Sequence, residues 1–270
     1  MTTVREIEAF LYRLAPKELA ADWDNVGQLL GDPDREVRRA LVSLDITRAV
    51  AEEALNGGYE LIVSHHPVMN CHWRPVQTIR RDTPQGRLLT ELLRGGVACV
   101  CMHTNLDAAP GGVNDRLAEA LGLSDVEPLP GGDGICRVGK LPEAMPLRRF
   151  VRRAMDALGC RGIRYADGGK AAQRVAVGGG ACGEYADAAL NAGCDTFLTA
   201  DVKYHGFLDA AAAGLNLIDA GHFPTEDPVC ETLVTRLRTE FPALHVRKAA
   251  SHGDVVRYEF AGARDPEQEI

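Results

Sequence analysis

Residues 40–66 read ALVSLDITRAVAEEALNGGYELIVSHH, and this stretch decides the fold class. ALVSLD (40–45) is an apolar run ending in an acid, the pattern of a buried strand. Thr47 is placed to cap a helix that Gly57 and Gly58 then stop. LIVS (61–64) is a second short apolar run, and two histidines follow it at once. Strand, helix and strand in this order make the unit from which parallel sheets are built.

The same alternation extends on both sides. Val4, Ile7, Phe10, Leu11 and Leu14 recur at helical spacing near the start. GRLLTELLRGG (86–96) predicts a helix, VACVCMH (97–103) a strand and GGVNDRLAEALGL (111–123) a helix. SDVEPLPGGDG (124–134) is rich in Pro, Gly and Asp and reads as a linker. Beyond it, ICRVGKL (135–141), RVAVGG, TFLTA and NLIDAG read as strands, with helices near 147–158 and 227–240. HVRKAA and DVVRYEF read as closing strand-like segments. The expectation is an α/β fold of two similar lobes with largely parallel sheets, residues 1–126 and 127–270.

Composition narrows the functional classes. The chain of 270 residues is 46% hydrophobic and 25% charged, ordinary for a globular protein and unlike a disordered one. No run approaches the ~18 apolar residues of a membrane span, and the N-terminal segment lacks an apolar signal core. A cytoplasmic location is therefore expected. The net charge of −8 argues against a nucleic-acid partner, because phosphate neutralisation needs a basic excess. The eight cysteines include no C-x-x-C and read as reduced, mostly buried thiols. No G-x-S-x-G nucleophile motif occurs either.

Ligands of α/β sheets sit beyond the carboxyl ends of strands. The polar residues expected there are Asp45, His65, His66, His103, Asp107, Asp201 and His222. Five of only eight histidines (65, 66, 103, 205 and 222) fall at or just after predicted strand ends. Where the backbone turns, His65 and His66 can face one crevice, which suits two neighbouring metals; turn histidines capping backbone groups would leave the same trace. Asp107 is expected in a loop before a helix, as a ligand or as a helix cap. In GHFPTE (221–226), four-residue spacing puts His222 and Glu226 on one side of a first helical turn. Three imidazoles and two carboxylates suit Zn, Fe, Mn, Co or Ni better than Ca or Mg. Five ligands exceed a mononuclear catalytic set, so a two-metal site with one bridging carboxylate is the economical arrangement.

The segments DWDNVGQLLGDP (22–33), LIVSHHPV (61–68), HTNLDAAPGGVNDRLAEALGL (103–123), LTADVKYH (198–205) and GHFPTE (221–226) resemble the Nif-three-like dinuclear metal centre family. Many of its members are labelled GTP cyclohydrolase I type 2 homologue. The resemblance implies two divalent ions held by His65, His66, Asp107, His222 and Glu226, a site between the lobes, and a toroidal hexamer. It implies the short form of the family, with no inserted domain. One departure is Thr199-Ala-Asp-Val-Lys203, where a Gly-Glu-type turn is expected. The function implied is metal-dependent hydrolysis of a nucleotide or related phosphorylated compound, GTP cyclohydrolase-like; the alternative is a non-catalytic assembly or regulatory ring. His205, Asp201 and His103 are the candidates for proton transfer or for orienting ligands, and Asp45 is a further orienting group or a helix cap. Two divalent charges, offset by Asp107, Glu226 and a hydroxide, leave about one positive charge and favour an anionic or oxygen-rich substrate.

Two further signals compete. Gly178–Gly183 fits G-x-G-x-x-G between a strand and a helix, with Asp201 at the end of the next strand. It reads as a dinucleotide loop, a phosphate site near the metals, or a tight turn that needs small residues. Arg148, Arg149, Arg152, Arg153, Arg161 and Arg164 form a basic run, read as a solvated face or as a groove for phosphate.

Overall fold

A computed structural model describes residues 1–71 and 75–259. Its strands are β1 Gly27–Leu30, β2 Arg39–Ser43, β3 Leu61–Ser64, β4 Ala98–Cys101, β5 Ser124–Pro128, β6 Arg137–Met145, β7 Arg164–Ala166, β8 Ala172–Val177, β9 Thr196–Thr199, β10 Asn216–Asp219 and β11 His245–Lys248. Its α-helices are α1 Val4–Leu14, α2 Arg48–Asn56, α3 Pro84–Arg94, α4 Thr104–Ala108, α5 Val113–Ala120, α6 Leu147–Leu158, α7 Ala186–Asn191, α8 Tyr204–Ala213, α9 His222–Glu226 and α10 Pro228–Glu240.

The opening stretch folds as its pattern dictates. β2 and β3 pair in parallel, from Ala40 opposite Leu61 to Ser43 opposite Ser64. Between them Thr47 Oγ1 accepts from Val50 N at the start of α2, and Gly57 ends the helix. β4 extends the parallel pairing, and β1 closes that edge antiparallel to β4. The first sheet thus runs β1-β4-β3-β2-β11, and the second β5-β6-β8-β9-β10-β7. In the second, β8, β9 and β10 are again three parallel neighbours, and β7 lies antiparallel to the last of them. Each sheet therefore repeats one plan, an antiparallel edge strand beside three consecutive parallel strands, which is the likeness of the two lobes.

Apolar side chains cover both faces of both sheets, so each sheet is the middle layer of three. α5 belongs to both lobes: Val113 lies in a core of the first, and Leu117 and Ala118 lie in a core of the second.

Three sequence readings change. The supposed linker contains β5, whose five residues are all exposed and pair antiparallel with β6. A strand with no buried face shows no alternation to read. β11 returns to the first sheet and pairs in parallel with β2, while Val229, Cys230, Leu233, Val234 and Leu237 of α10 join the first core. A single cut at 126/127 therefore does not separate the two sheets. Residues 254–259 form no strand; Phe260 lies outside the described residues.

Among the described residues no helix is long and apolar enough to cross a membrane. All eight cysteines are free thiols, seven of them buried. On α6 the arginines at 148, 149 and 152 are exposed, whereas Leu147, Phe150, Val151 and Ala154 are buried, so these three lie on a solvated face; Arg164 is apart from them, at the cavity wall against Asp219.

Candidate metal centre

The parallel ladder continues one step past β3. His65 N donates to Ser43 O (3.1 Å) and His66 N donates to Leu44 O (2.8 Å). This pairing fixes both histidines at the strand end, and His65 is fully buried there. β4 ends just before His103, and α4 follows, so Asp107 sits on a short helix and not in a loop. Gly221 (φ 87°) turns the chain out of β10 into α9. That turn of helix brings His222 Nε2 within 3.1 Å of Glu226 Oε2.

The four imidazoles share one wiring. His65 Nδ1 donates to Met102 O at 2.8 Å, and a carbonyl can only accept, so Nδ1 carries the proton. His66 Nδ1 faces Asp45 Oδ2 at 3.2 Å, and His222 Nδ1 faces Asp201 Oδ2 at 2.7 Å. His103 Nδ1 lies 2.9 Å from both oxygens of Asp24. Each ring is thus held through Nδ1, which leaves Nε2 for the interior. Such outer partners orient metal-binding histidines and set their tautomer.

The Nε2 atoms converge on two carboxylates. His65 Nε2 lies 3.5 Å from Asp107 Oδ1 and 3.7 Å from Glu226 Oε1. His66 Nε2 lies 3.1 Å from Glu226 Oε2 and 3.3 Å from His222 Nε2. With both Nδ1 atoms turned to carboxylates, the two facing Nε2 atoms need a proton or a cation between them. Asp107 and Glu226 are buried; His65 Nε2 and Asp107 Oδ1 have no hydrogen-bond partner, and Glu226 Oε2 meets the His66 and His222 rings only as close ion-pair contacts. Unmet buried polar atoms are costly, and a cation would satisfy them.

The charges tell the same story. Burial pulls the His66 and His222 imidazoles down, but the Glu226 carboxylate, together with Asp45 on His66 and Asp201 on His222, outweighs it and pushes them up to about 10 and about 11. Burial pushes Glu226 up, yet His66 and His222 hold it well below the usual carboxylate range. Burial raises Asp107 in spite of His65. A buried site that collects protons onto its imidazoles is one where a divalent cation can take their place.

The structure thus brings together His65, His66, Asp107, His222 and Glu226. His65, His66 and His103 form one cluster that could hold a metal ion, and His66, His222 and Glu226 form another. Asp201 and Asp45 hold ligand-type imidazoles from outside, and Thr47, not Asp45, caps α2. The departure at 199–203 is accommodated because Asp201 takes φ 53°, a left-handed conformation that Asp tolerates, and this turn aims its carboxylate at His222. His205 does not join the site: it is exposed on α8, its ring against Tyr204, and is not part of the cavity wall.

Sequence reasoning missed Asp24. Its carboxylate accepts from Thr104 N (3.0 Å), Thr104 Oγ1 and His103 Nδ1, and although burial raises it, the His103 and Thr104 hydrogen bonds hold it far below the carboxylate range. The only signal was its place in DWDN, which no periodicity marks. A third group, Asp227, Cys230 and His252, has metal-ligand spacing, but Asp227 is already paired with the Lys248 ammonium and with His252.

The glycine-rich loop packs against this centre. A Cβ on Gly180 would collide with Glu226 Oε1, and one on Gly178 would strike Cys182 and Cys136. Gly179 N donates to Asn114 Oδ1 (2.7 Å) and Gly180 N to Thr225 Oγ1 (3.0 Å). Those two amides are spent within the fold, which fits the close-packing reading. The centre opens on a cavity of about 1300 Å³.

Comparison with known proteins places this geometry. The profile of the Duf34/NIF3 (NGG1p interacting factor 3) family matches residues 2–253. The chain belongs to the Duf34/NIF3 family. Among curated relatives, a Streptomyces coelicolor protein named GTP cyclohydrolase 1 type 2 homolog is 38% identical over 242 residues, covering 86% of this chain and 84% of that one. A Clostridium perfringens protein of the same name is 35% identical over 222 residues, covering 80% and 84%. Among solved structures, a Bacillus cereus protein related to NIF3 aligns with a TM-score of 0.88 at 24% identity, covering 96% of this chain and 99% of its own, and shares the fold. A Staphylococcus aureus hypothetical protein aligns with a TM-score of 0.86 at 26% identity, covering 95% and 99%. The NIF3 fold is thus the frame on which the histidine-rich cluster is mounted.

Proposed function

We propose that the chain is a metal-dependent hydrolase with a two-metal centre, acting on a nucleotide or related compound as the name of its curated relatives suggests. The observation that carries this reading is the buried convergence of the His65, His66 and His222 Nε2 atoms on Asp107 and Glu226, with His65 Nε2 and Asp107 Oδ1 left without a hydrogen-bond partner. His65, His66, Asp107, His222 and Glu226 would hold two divalent ions of the Zn, Fe, Mn, Co or Ni class. Glu226 is suited to bridge, since Oε1 faces His65 while Oε2 faces His66 and His222. Bound there, the ions would lower the pKa of water toward neutrality and polarise the centre under attack.

The chain's own residues do the rest. Asp45, Asp201 and the Met102 carbonyl keep each ligand imidazole in one tautomer and one orientation. His103, pinned by Asp24, presents Nε2 beside the cluster and is the group placed to receive or return a proton. Asp201 acts by holding His222. The working unit is a toroidal hexamer with the centres facing its interior.

The test is turnover of a nucleotide panel by protein loaded in turn with Zn, Mn, Fe, Co or Ni. Metal-dependent hydrolysis, lost in His66→Ala while the oligomer persists, supports the enzyme. No turnover of any panel member at full metal loading favours a non-catalytic metal-binding ring.

A further inference from the structure

Asp107 differs from the imidazoles of the centre in what holds it. Each ring is oriented through Nδ1 by a carboxylate or a carbonyl. Asp107 Oδ1 is buried without a hydrogen-bond partner and meets His65 Nε2 only at 3.5 Å. The direction of this carboxylate is therefore set by the backbone that carries it. That backbone is α4, five residues long and too short to hold its shape by its own ladder.

The carbonyls that close α4 find their donor on the other sheet. The last carbonyls of a helix have no partner within it and need one from outside. Arg137 opens β6 and is 4% exposed. Its Nη2 donates to Ala108 O (2.7 Å) and Ala109 O (3.4 Å), the two residues after Asp107. Nη1 donates to Gly134 O (2.7 Å), Ile135 O (3.0 Å) and Cys136 O (3.3 Å). Nε donates to Asp115 Oδ1 (2.6 Å), and Asp115 Oδ2 accepts from Gly111 N (2.5 Å). One guanidinium thus ties α4, α5 and the entry to β6.

A buried ion pair is a weak source of stability, because desolvation offsets the attraction. What the guanidinium supplies is a rigid fork of donors that a lysine lacks. Asp115 also balances its charge, so the clamp adds no net positive charge beside a centre that must hold cations.

We infer that Arg137 is a positioning residue of the metal centre: by clamping the carbonyls that follow Asp107, it aims that carboxylate into the gap from the opposite sheet. The inference rests on the two-metal reading and adds the group that fixes the one ligand with no side-chain support at Oδ1.

Zinc titration by calorimetry tests it on the wild type, Arg137→Lys, Asp107→Asn and the combination of the two, with thermal midpoints taken on the same samples. Arg137→Lys keeps the charge and loses the fork. It should weaken one of the two ions about tenfold, the low end of what loss of an outer partner costs, and leave the other within about threefold. In the Asp107→Asn background the same change should cost zinc no further affinity, while the midpoint falls in both backgrounds. An arginine that only supports the fold would lower the midpoint and leave both ions unchanged, or weaken zinc equally in both backgrounds; either result overturns the inference. Arg137→Gln combined with Asp115→Asn removes both charges, so no unpaired charge is buried, and it should show the same tenfold loss; it decides the matter if the lysine variant does not fold. Wild-type protein that takes up no zinc refutes the two-metal reading and this inference with it, whereas wild-type affinity in Arg137→Lys refutes the inference alone.

Discussion

Glu226→Gln keeps the shape of the side chain and removes its charge. In the structure this carboxylate is 4% exposed and faces three imidazoles, with Oε2 at 3.1 Å from both His66 and His222 and Oε1 at 3.7 Å from His65. Groups that merely orient a metal ligand typically cost 10–100-fold in affinity when removed. A carboxylate that bridges must cost more, so about hundredfold, or ~3 kcal/mol, is a lower bound for each ion. Elemental analysis of protein purified without chelator should find about two transition-metal ions per wild-type chain and both sites depleted in the variant. Retention of both ions would refute the placement of the metals at Glu226. Loss of only one would refute the bridge.

Asp201→Asn should preserve the left-handed turn, since Asn tolerates it, while weakening metal held by His222 by roughly 10–100-fold; calorimetric metal titration checks this, and unchanged affinity would remove the positioning role. His205→Ala should leave metal content and thermal midpoint within error of wild type, because the side chain is exposed outside the cavity; loss of metal would contradict that. Burial raises Glu53, but the Ser251 hydroxyl, the Ala250 and Ser251 amides and Arg247 outweigh it and depress the carboxyl to about 2. Its contribution to stability is present above the ordinary value near 4.5 and is lost as pH falls toward 2. The drop in urea midpoint between pH 6 and pH 3 should therefore be smaller in Glu53→Gln, and equal drops would show that the tie is not stabilising.

The strand-end histidines were legible because scarce residues fell where α/β sheets present their ligands. His222 and Glu226 were legible because helical spacing is a local property, and α9 realises it. The rest depended on distance along the chain. Asp24 meets His103 across 79 residues, and neither periodicity nor strand position marks it. β11 joins β2 in parallel after the chain has built the whole second sheet, a non-local pairing that sequence pattern does not encode. α4 is five residues long, shorter than any window in which a helical period shows, so Asp107 read as a loop residue.

The central claim is that two cations occupy the gap among His65, His66, Asp107, His222 and Glu226. Anomalous diffraction from crystals grown at neutral pH with manganese or zinc measures this directly. Two peaks should appear within that gap, with Glu226 reaching both. A single peak, or none with the five side chains turned apart, would contradict the account.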